Sequence, residues 1–188
     1  RTDRPAIIKY KAVGILWHLS LESSCKPKIF AGDGIELLMA VLRTGKPSAQ
    51  RQAVGTLWHL SCSEDVRKLI ASAGAIPWIV DVARKGLEVA RREAVAALRQ
   101  LSCDNDLIPE LINNDCIPVL VKLFQEGGKS SKEQCLGTLR NLAIQESVKR
   151  ALVQFGMIPL LISILHSFDQ DILKLNAAGI LWHIAYLP

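Results

Sequence analysis

The chain has 188 residues, 49% of them hydrophobic and 22% charged, and a formal net charge of +5. That is enough apolar material for a continuous core, and no apolar run reaches the roughly 18 residues that a membrane span needs. The positive excess is scattered among acidic residues, with no Lys/Arg block, so it admits an acidic partner and argues against a nucleic-acid stripe.

From the N-terminus onward, one helix ending returns five times. It reads AVGILWHLS at Ala12–Ser20, AVGTLWHLS at Ala53–Ser61, AVAALRQLS at Ala94–Ser102, CLGTLRNLA at Cys135–Ala143 and AAGILWHIA at Ala177–Ala185. The offsets are 41, 41, 41 and 42 residues, and Ile35, Ile76, Ile117 and Ile158 keep the same step. A period in the forties is the signature of an α-solenoid. The expected fold is all-α, with three helices per repeat, as a single array over 1–188. Residues 1–21 read as the third helix of a first, partial repeat, followed by full repeats at about 22–62, 63–103, 104–144 and 145–188. Because the chain opens at Arg1 on the last helix of a repeat, it reads as a piece of a longer protein. The cut ends, at the first helix and near Leu187, are then expected to expose apolar surface and to self-associate.

Within the second full repeat, Glu64 to Ala73 forms a short helical stretch ended by Gly74, which takes a left-handed conformation at no steric cost. Pro77 opens the next helix, where its missing N–H loses nothing. That helix, Trp78 to Arg84, closes at Gly86, and a longer one runs from about Glu88 to Cys103. The other repeats keep this punctuation. Pro118 and Pro159 match Pro77; Gly156 matches Gly74, with Asp33 and Asp115 in that place elsewhere; Gly45 and Gly127 match Gly86. The last junction, Phe168 to Asp171, carries the one-residue insertion.

In the third helix, Val13, Leu16, Leu19 and Ser20 share one face at 100° per residue. Their equivalents are Val54, Leu57, Leu60; Val95, Leu98, Leu101; Leu136, Leu139, Leu142; and Ala178, Leu181, Ile184. This is the predicted core stripe. Opposite it stand His18, His59, Gln100, Asn141 and His183, a row of side chains that can each donate and accept, which suits an extended peptide backbone. The plainer alternative is a solvated polar face. On the flank run Trp17, Trp58, Arg99, Arg140 and Trp182. An unpaired guanidinium in a core is very costly, so this register is not deeply buried, and Trp and Arg are enriched at binding hot spots. Packing between adjacent third helices is a compatible role. One turn before the ladder stand Gly14, Gly55, Ala96, Gly137 and Gly179. Glycine inside a helix costs roughly 1 kcal/mol relative to alanine, so its recurrence predicts close approach by a neighbouring side chain or a ligand. Arg51 and Arg92 join Arg99 and Arg140 in favouring acidic stretches of a ligand. Glu88 and Glu93 balance them, and Glu93 and Glu133 read as isolated helix-surface acids.

The five cysteines are an odd set. Cys62 and Cys103 hold equivalent positions and read as small buried residues, and all five as reduced thiols of a cytoplasmic or nuclear protein. No phosphate loop, dinucleotide fingerprint, H-E-x-x-H or G-x-S-x-G motif is present. No catalytic residue, metal site or cofactor is expected, and the chain reads as a non-enzyme.

The recurring A-x-G-x-L-x-N-L pattern, with G-x-I-P before the middle helix, resembles the armadillo repeat over nearly the whole chain. The variants GILWHLS and GTLWHLS are similar to the third helices of β-catenin and the plakophilins. The resemblance implies a right-handed superhelix whose third helices line a concave groove, where an asparagine ladder grips extended or partly helical segments of protein or peptide partners. It implies that role for His18, His59, Gln100, Asn141 and His183. Only Asn141 keeps the family asparagine. Importin-α-like members carry tryptophan where this chain has Gly14, Gly55, Ala96, Gly137 and Gly179, so capture of basic nuclear-localisation peptides is not expected. Histidine titrates between about pH 5 and 8, so ligand affinity is expected to vary in that window. Two other readings stand beside the scaffold. One is a nucleic-acid-binding solenoid, against which the 5% aromatic content counts. The other is a structural spacer whose working sites lie outside the chain.

Overall fold

Leucine and valine at three- and four-residue spacing, punctuated by proline at helix starts and glycine at helix ends, produce short helices that can bury their stripes only against one another. The computed structural model describes residues 4–167 and 171–187, with only the backbone described for Arg4, Pro5, Ala6 and Ala31. Among the described residues it is helical throughout, without strands. It contains two compact units, Arg1–Leu107 and Ile108–Pro188.

The first unit runs α1 (Arg4–Ser20), α2 (Lys26–Ala31), α3 (Gly34–Thr44), α4 (Pro47–Leu60), α5 (Glu64–Ser72), α6 (Ile76–Lys85) and α7 (Glu88–Leu101), and closes on a 3₁₀ turn at Asn105–Leu107. The long helix α4 packs against α1 on one side and α7 on the other, with α3 and α6 supporting α4 and α7. The second unit runs α8 (Ile108–Asn113), α9 (Cys116–Glu126), α10 (Lys129–Leu142), α11 (Glu146–Gln154), α12 (Met157–His166) and α13 (Asp171–Ala185). There α10 packs on α9 and α13, and α12 on α13. The expected insertion at Phe168–Asp171 falls on residues 168–170, outside the described residues; Asp171 opens α13.

The core stripe holds in the interior helices: Val54, Leu57, Leu60, Val95, Leu98, Leu101, Leu136, Leu139 and Leu142 are buried. It fails at the two outer helices. In α1 Val13 and Ser20 are buried while Leu19 is exposed; in α13 Ala178 is exposed and Leu181 and Ile184 are half-buried. Helix α13 buries Leu173, Asn176, Ala177 and Ile180 instead. The reason is geometric. Among the described residues α4 has a third helix on each flank, α1 and α7, whereas α1 meets one, α4, and α13 meets one, α10.

Ser20, Ser61 and Ser102 are buried at the ends of α1, α4 and α7, and each hydroxyl donates a 2.7 Å hydrogen bond to the carbonyl of Trp17, Trp58 or Arg99. These serines are the small buried residues that close the third helix. The expectation for Cys62 and Cys103 is therefore wrong: both thiols lie one residue further on and are exposed. Cys116 and Cys135 are buried, and burial pushes both thiols far above the ordinary range.

After the first helix of their repeats Gly74 and Gly156 adopt φ of 72° and 67°, and Asp115 does the same at 58°. Asp33 does not; its φ is −72°. A Cβ on Gly156 meets nothing within 4 Å, so alanine there tests backbone conformation alone. Gly156→Ala is expected to lower stability by about 1 kcal/mol, the cost of a left-handed Cβ, measured by urea unfolding. An unchanged or raised midpoint would contradict this account of the turn.

Candidate functional site on the third helices

In the first unit α1, α4 and α7 lie side by side and carry Trp17, His18, Arg51, Trp58, His59, Arg92, Arg99 and Gln100. His18 and Arg92 are exposed and the other six are half-buried, so this flank and ladder are accessible without being fully solvated. Each histidine rests against the indole before it. Trp58 and His59 stack with ring centroids 4.6 Å apart, and Trp17 and His18 meet edge to face at 4.9 Å. On α1 and α4 the ladder is thus made of Trp–His pairs rather than of independent polar groups, while α7 carries Arg99 and Gln100 there.

The glycines explain how the rows fit. A Cβ on Gly55 would lie 3.1 Å from Trp17 Nε1 of α1 and 3.0 Å from Glu93 Oε2 of α7. At Gly14 the nearest atoms belong to Gln52 of α4, 3.5 Å away. The close approach predicted from the glycines is therefore made by side chains of neighbouring third helices. Gln52 and Glu93 face Gly14 and Gly55, and Lys11, Gln134 and Asn176 stand at the same repeat step, a polar row present in the sequence.

Glu93 is not an isolated surface acid. Its side chain is 13% exposed, and Oε1 accepts a 3.2 Å charged hydrogen bond from Arg51 Nε. Arg51 therefore has an internal partner and is not a free cation awaiting an acidic ligand. Glu93 Oε2 is buried without a hydrogen-bond partner, and this burial raises the carboxyl pKa, against the opposing pull of Arg51 and Arg92.

In the second unit α10 supplies Arg140 and Asn141, and α13 supplies Trp182 and His183. Arg140 crosses to α13: its Nη1 donates to Asn176 Oδ1 at 3.2 Å, and its Cδ would lie 2.7 Å from a Cβ on Gly179. Arg140 thus plays toward Gly179 the part that Trp17 plays toward Gly55. Trp182 is 60% exposed and meets both His183 and Tyr186 edge to face, at 5.0 and 5.1 Å. Tyr186, one turn beyond Trp182, extends the aromatic surface past the expected set.

Burial lowers the pKa of His59, with Lys26 adding to the effect, and lowers that of His183, with Lys149 and Arg140 adding to it. Both rings are neutral at pH 7 and offer one donor and one acceptor each. Among the described residues no three His, Cys, Asp or Glu side chains are grouped to hold a metal ion, and no single helix is long and apolar enough to cross a membrane.

Because folding raises the Glu93 pKa, the ionised form is the one it disfavours. That cost is present above the carboxylate range and disappears as the pH falls and the group protonates. Glu93→Gln is therefore expected to be at least as stable as the parent at pH 7, with the difference shrinking toward pH 4 in thermal melts. A clear loss at pH 7 would show that the Arg51 pair outweighs burial.

The model of the Armadillo/beta-catenin-like repeat matches residues 104–144. Comparison with curated proteins gives no match. Among solved structures, an engineered protein is similar at 22% identity and a TM-score of 0.83, covering 98% of this chain and 76% of its own. A designed armadillo repeat protein aligns at 19% identity and 0.83, covering 93% and 75%. Another, solved in complex with the peptide (KR)4, aligns at 15% identity and 0.71, covering 93% and 92%. The chain thus has the armadillo-repeat fold, and its segment 104–144 is an armadillo repeat.

Proposed function

We propose that the chain is a non-enzymatic scaffold that holds an extended or partly helical segment of a partner protein along its third helices. The observation that carries this reading is the recurrence of accessible Trp–His ring pairs at one register, on α1, α4 and α13. Indole faces supply apolar area at small entropic cost, and the neutral imidazoles of His59 and His183, with Gln100 and Asn141, supply donors and acceptors for a peptide backbone. The designed armadillo protein that holds (KR)4 lends the fold precedent as a peptide binder. For this chain the preference is mildly acidic, set by the exposed Arg92; Arg51 is paired with Glu93 and Arg140 is bonded to Asn176. The exposed thiols of Cys62 and Cys103 fit a reducing cytoplasmic or nuclear setting.

Random 12-residue peptides displayed on phage and panned on the protein supply the test. The recovered peptides should be enriched in acidic and apolar residues, and Trp58→Ala with Arg99→Ala should weaken them at least thirtyfold, as loss of a hot spot of about 2 kcal/mol does. Circular dichroism verifies the fold. Undiminished binding by the folded double variant would leave the structural-spacer reading. Capture that disappears on nuclease treatment would favour the nucleic-acid reading. Protonation of His59 and His183 should strengthen binding of the acidic peptides as the pH falls from 7 to 5, since an acidic ligand favours the charged rings. Measured by fluorescence polarisation, the gain should vanish in the His59→Gln, His183→Gln variant; a flat profile in the parent would contradict it.

A further inference from the structure

Away from the third helices, the first unit carries a cleft of about 370 Å³ between the α2–α3 turn and the end of α5. Phe30, Ile35 and Leu69 give it apolar walls, and Asp33, Glu36 and Ser72 stand among them. The walls come from consecutive repeats of one compact unit, so the cleft is a property of their junction. The sequence departs from its own repeat at these positions. Phe30 stands where the later repeats have Ala71, Ile112 and Val153, and Glu36 where they have Pro77, Pro118 and Pro159. Leu69 holds a register that elsewhere carries Lys28, Glu110 and Ala151. The turn departs as well. After α5 the chain passes through Ala73, at φ −73° and ψ −3°, to the left-handed Gly74. After α2, Gly32 is extended, at φ −105° and ψ 178°, and Asp33 stays at φ −72°. Ile76 and Ile117, which follow turns with a left-handed residue, are buried. Ile35, which follows the extended turn, is half-buried, and Leu69 across from it is 47% exposed.

The polar side chains of the cleft are all acceptors. Asp33 caps α3 through its backbone carbonyl, which accepts the Leu37 N–H at 3.0 Å, and its carboxylate makes no cap hydrogen bond. Glu36 is exposed in the first turn of α3. Ser72 Oγ donates its proton to the Leu69 carbonyl at 3.0 Å, so what it offers a ligand is its lone pairs. No Lys, Arg or His lines the cleft, in a chain whose formal charge is +5. Apolar walls that end in carboxylates complement a long aliphatic stem that ends in a cation with N–H donors.

We infer that this cleft receives a lysine or arginine side chain of a partner protein. The stem lies against Phe30, Ile35 and Leu69, Asp33 and Glu36 hold the charged head, and Ser72 accepts one of its N–H groups. The volume is near the lower end of the range for ligand pockets, which suits one side chain rather than a helix or a strand. The contact is made by first and second helices, so it does not depend on what the ladder binds.

The probes that test this are Nα-acetyl-arginine amide and Nα-acetyl-lysine amide, with Nα-acetyl-norleucine amide as the neutral match for the stem. In ¹³C-methyl NMR spectra of the whole chain, the Ile35 and Leu69 signals should shift saturably with both cationic probes, at millimolar affinity, and much less with the neutral one. Asp33→Asn combined with Glu36→Gln should weaken the cationic probes at least tenfold. It should leave the circular dichroism unchanged, since asparagine serves as well as aspartate at an N-cap. Leu69→Asn should weaken them as well. Absence of saturable shifts at Ile35 and Leu69 of the parent chain overturns the inference, and that titration stands whether or not a variant folds. So do a neutral probe that binds as tightly and a folded variant of either kind that keeps the parent's affinity.

Discussion

The structure depends on one constraint, seen in full at α4: a third helix set between two others, here α1 and α7, must bury both of its flanks against them. With about 3.6 residues per turn, two buried flanks and a supporting second helix leave only a narrow strip for solvent. That strip is where the ladder stands. The closeness of the helices is set at the glycine column, where a large flank residue of one helix overlies a glycine of the next: Trp17 over Gly55, and Arg140 over Gly179. Alanine in place of Gly55 or Gly179 would push on an indole or on the middle of an arginine side chain, so the helix interior carries glycine despite its poor propensity.

The packing also decides the electrostatic character of the face. Of the four arginines on it, Arg51 is bonded to Glu93 and Arg140 to Asn176, each across one helix junction. Their long side chains serve as struts between neighbouring helices. What remains for a ligand is mostly neutral: aromatic rings, imidazoles held neutral by burial, and the amides of Gln100 and Asn141. A surface of this kind recognises a backbone and a few anchoring side chains better than it recognises charge.

Much of this was legible in the sequence because the repeat supplies its own controls. Five copies of the third-helix motif located those helices, their core stripe and the ladder, and Gly74, Pro77 and Gly86 marked the breaks between shorter helices. Less legible was anything that depends on a neighbour. A leucine at a core register is buried at position 60 and exposed at position 19, since burial is a property of the junction and not of the residue. Cys62 and Cys103 were misread for a related reason: the helix ends on Ser61 and Ser102, whose hydroxyls return to the backbone, and the next residue turns outward. Glu93 gave no local signal of its pairing with Arg51, 42 residues away in sequence, although its column of Lys11, Gln52, Gln134 and Asn176 was polar throughout.

The central claim is that ligands are held on the flank and ladder of the third helices. The chain contains its own internal comparison, because Trp17 and Trp58 stand on that flank while Trp78 belongs to the second helix α6. The direct measurement is an NMR titration of the ¹⁵N-labelled indoles with a peptide recovered by panning. The account predicts that the Trp17 and Trp58 indole signals shift together and saturably while that of Trp78 stays in place. Saturable binding that leaves Trp17 and Trp58 unmoved, or that moves Trp78 alone, would contradict it.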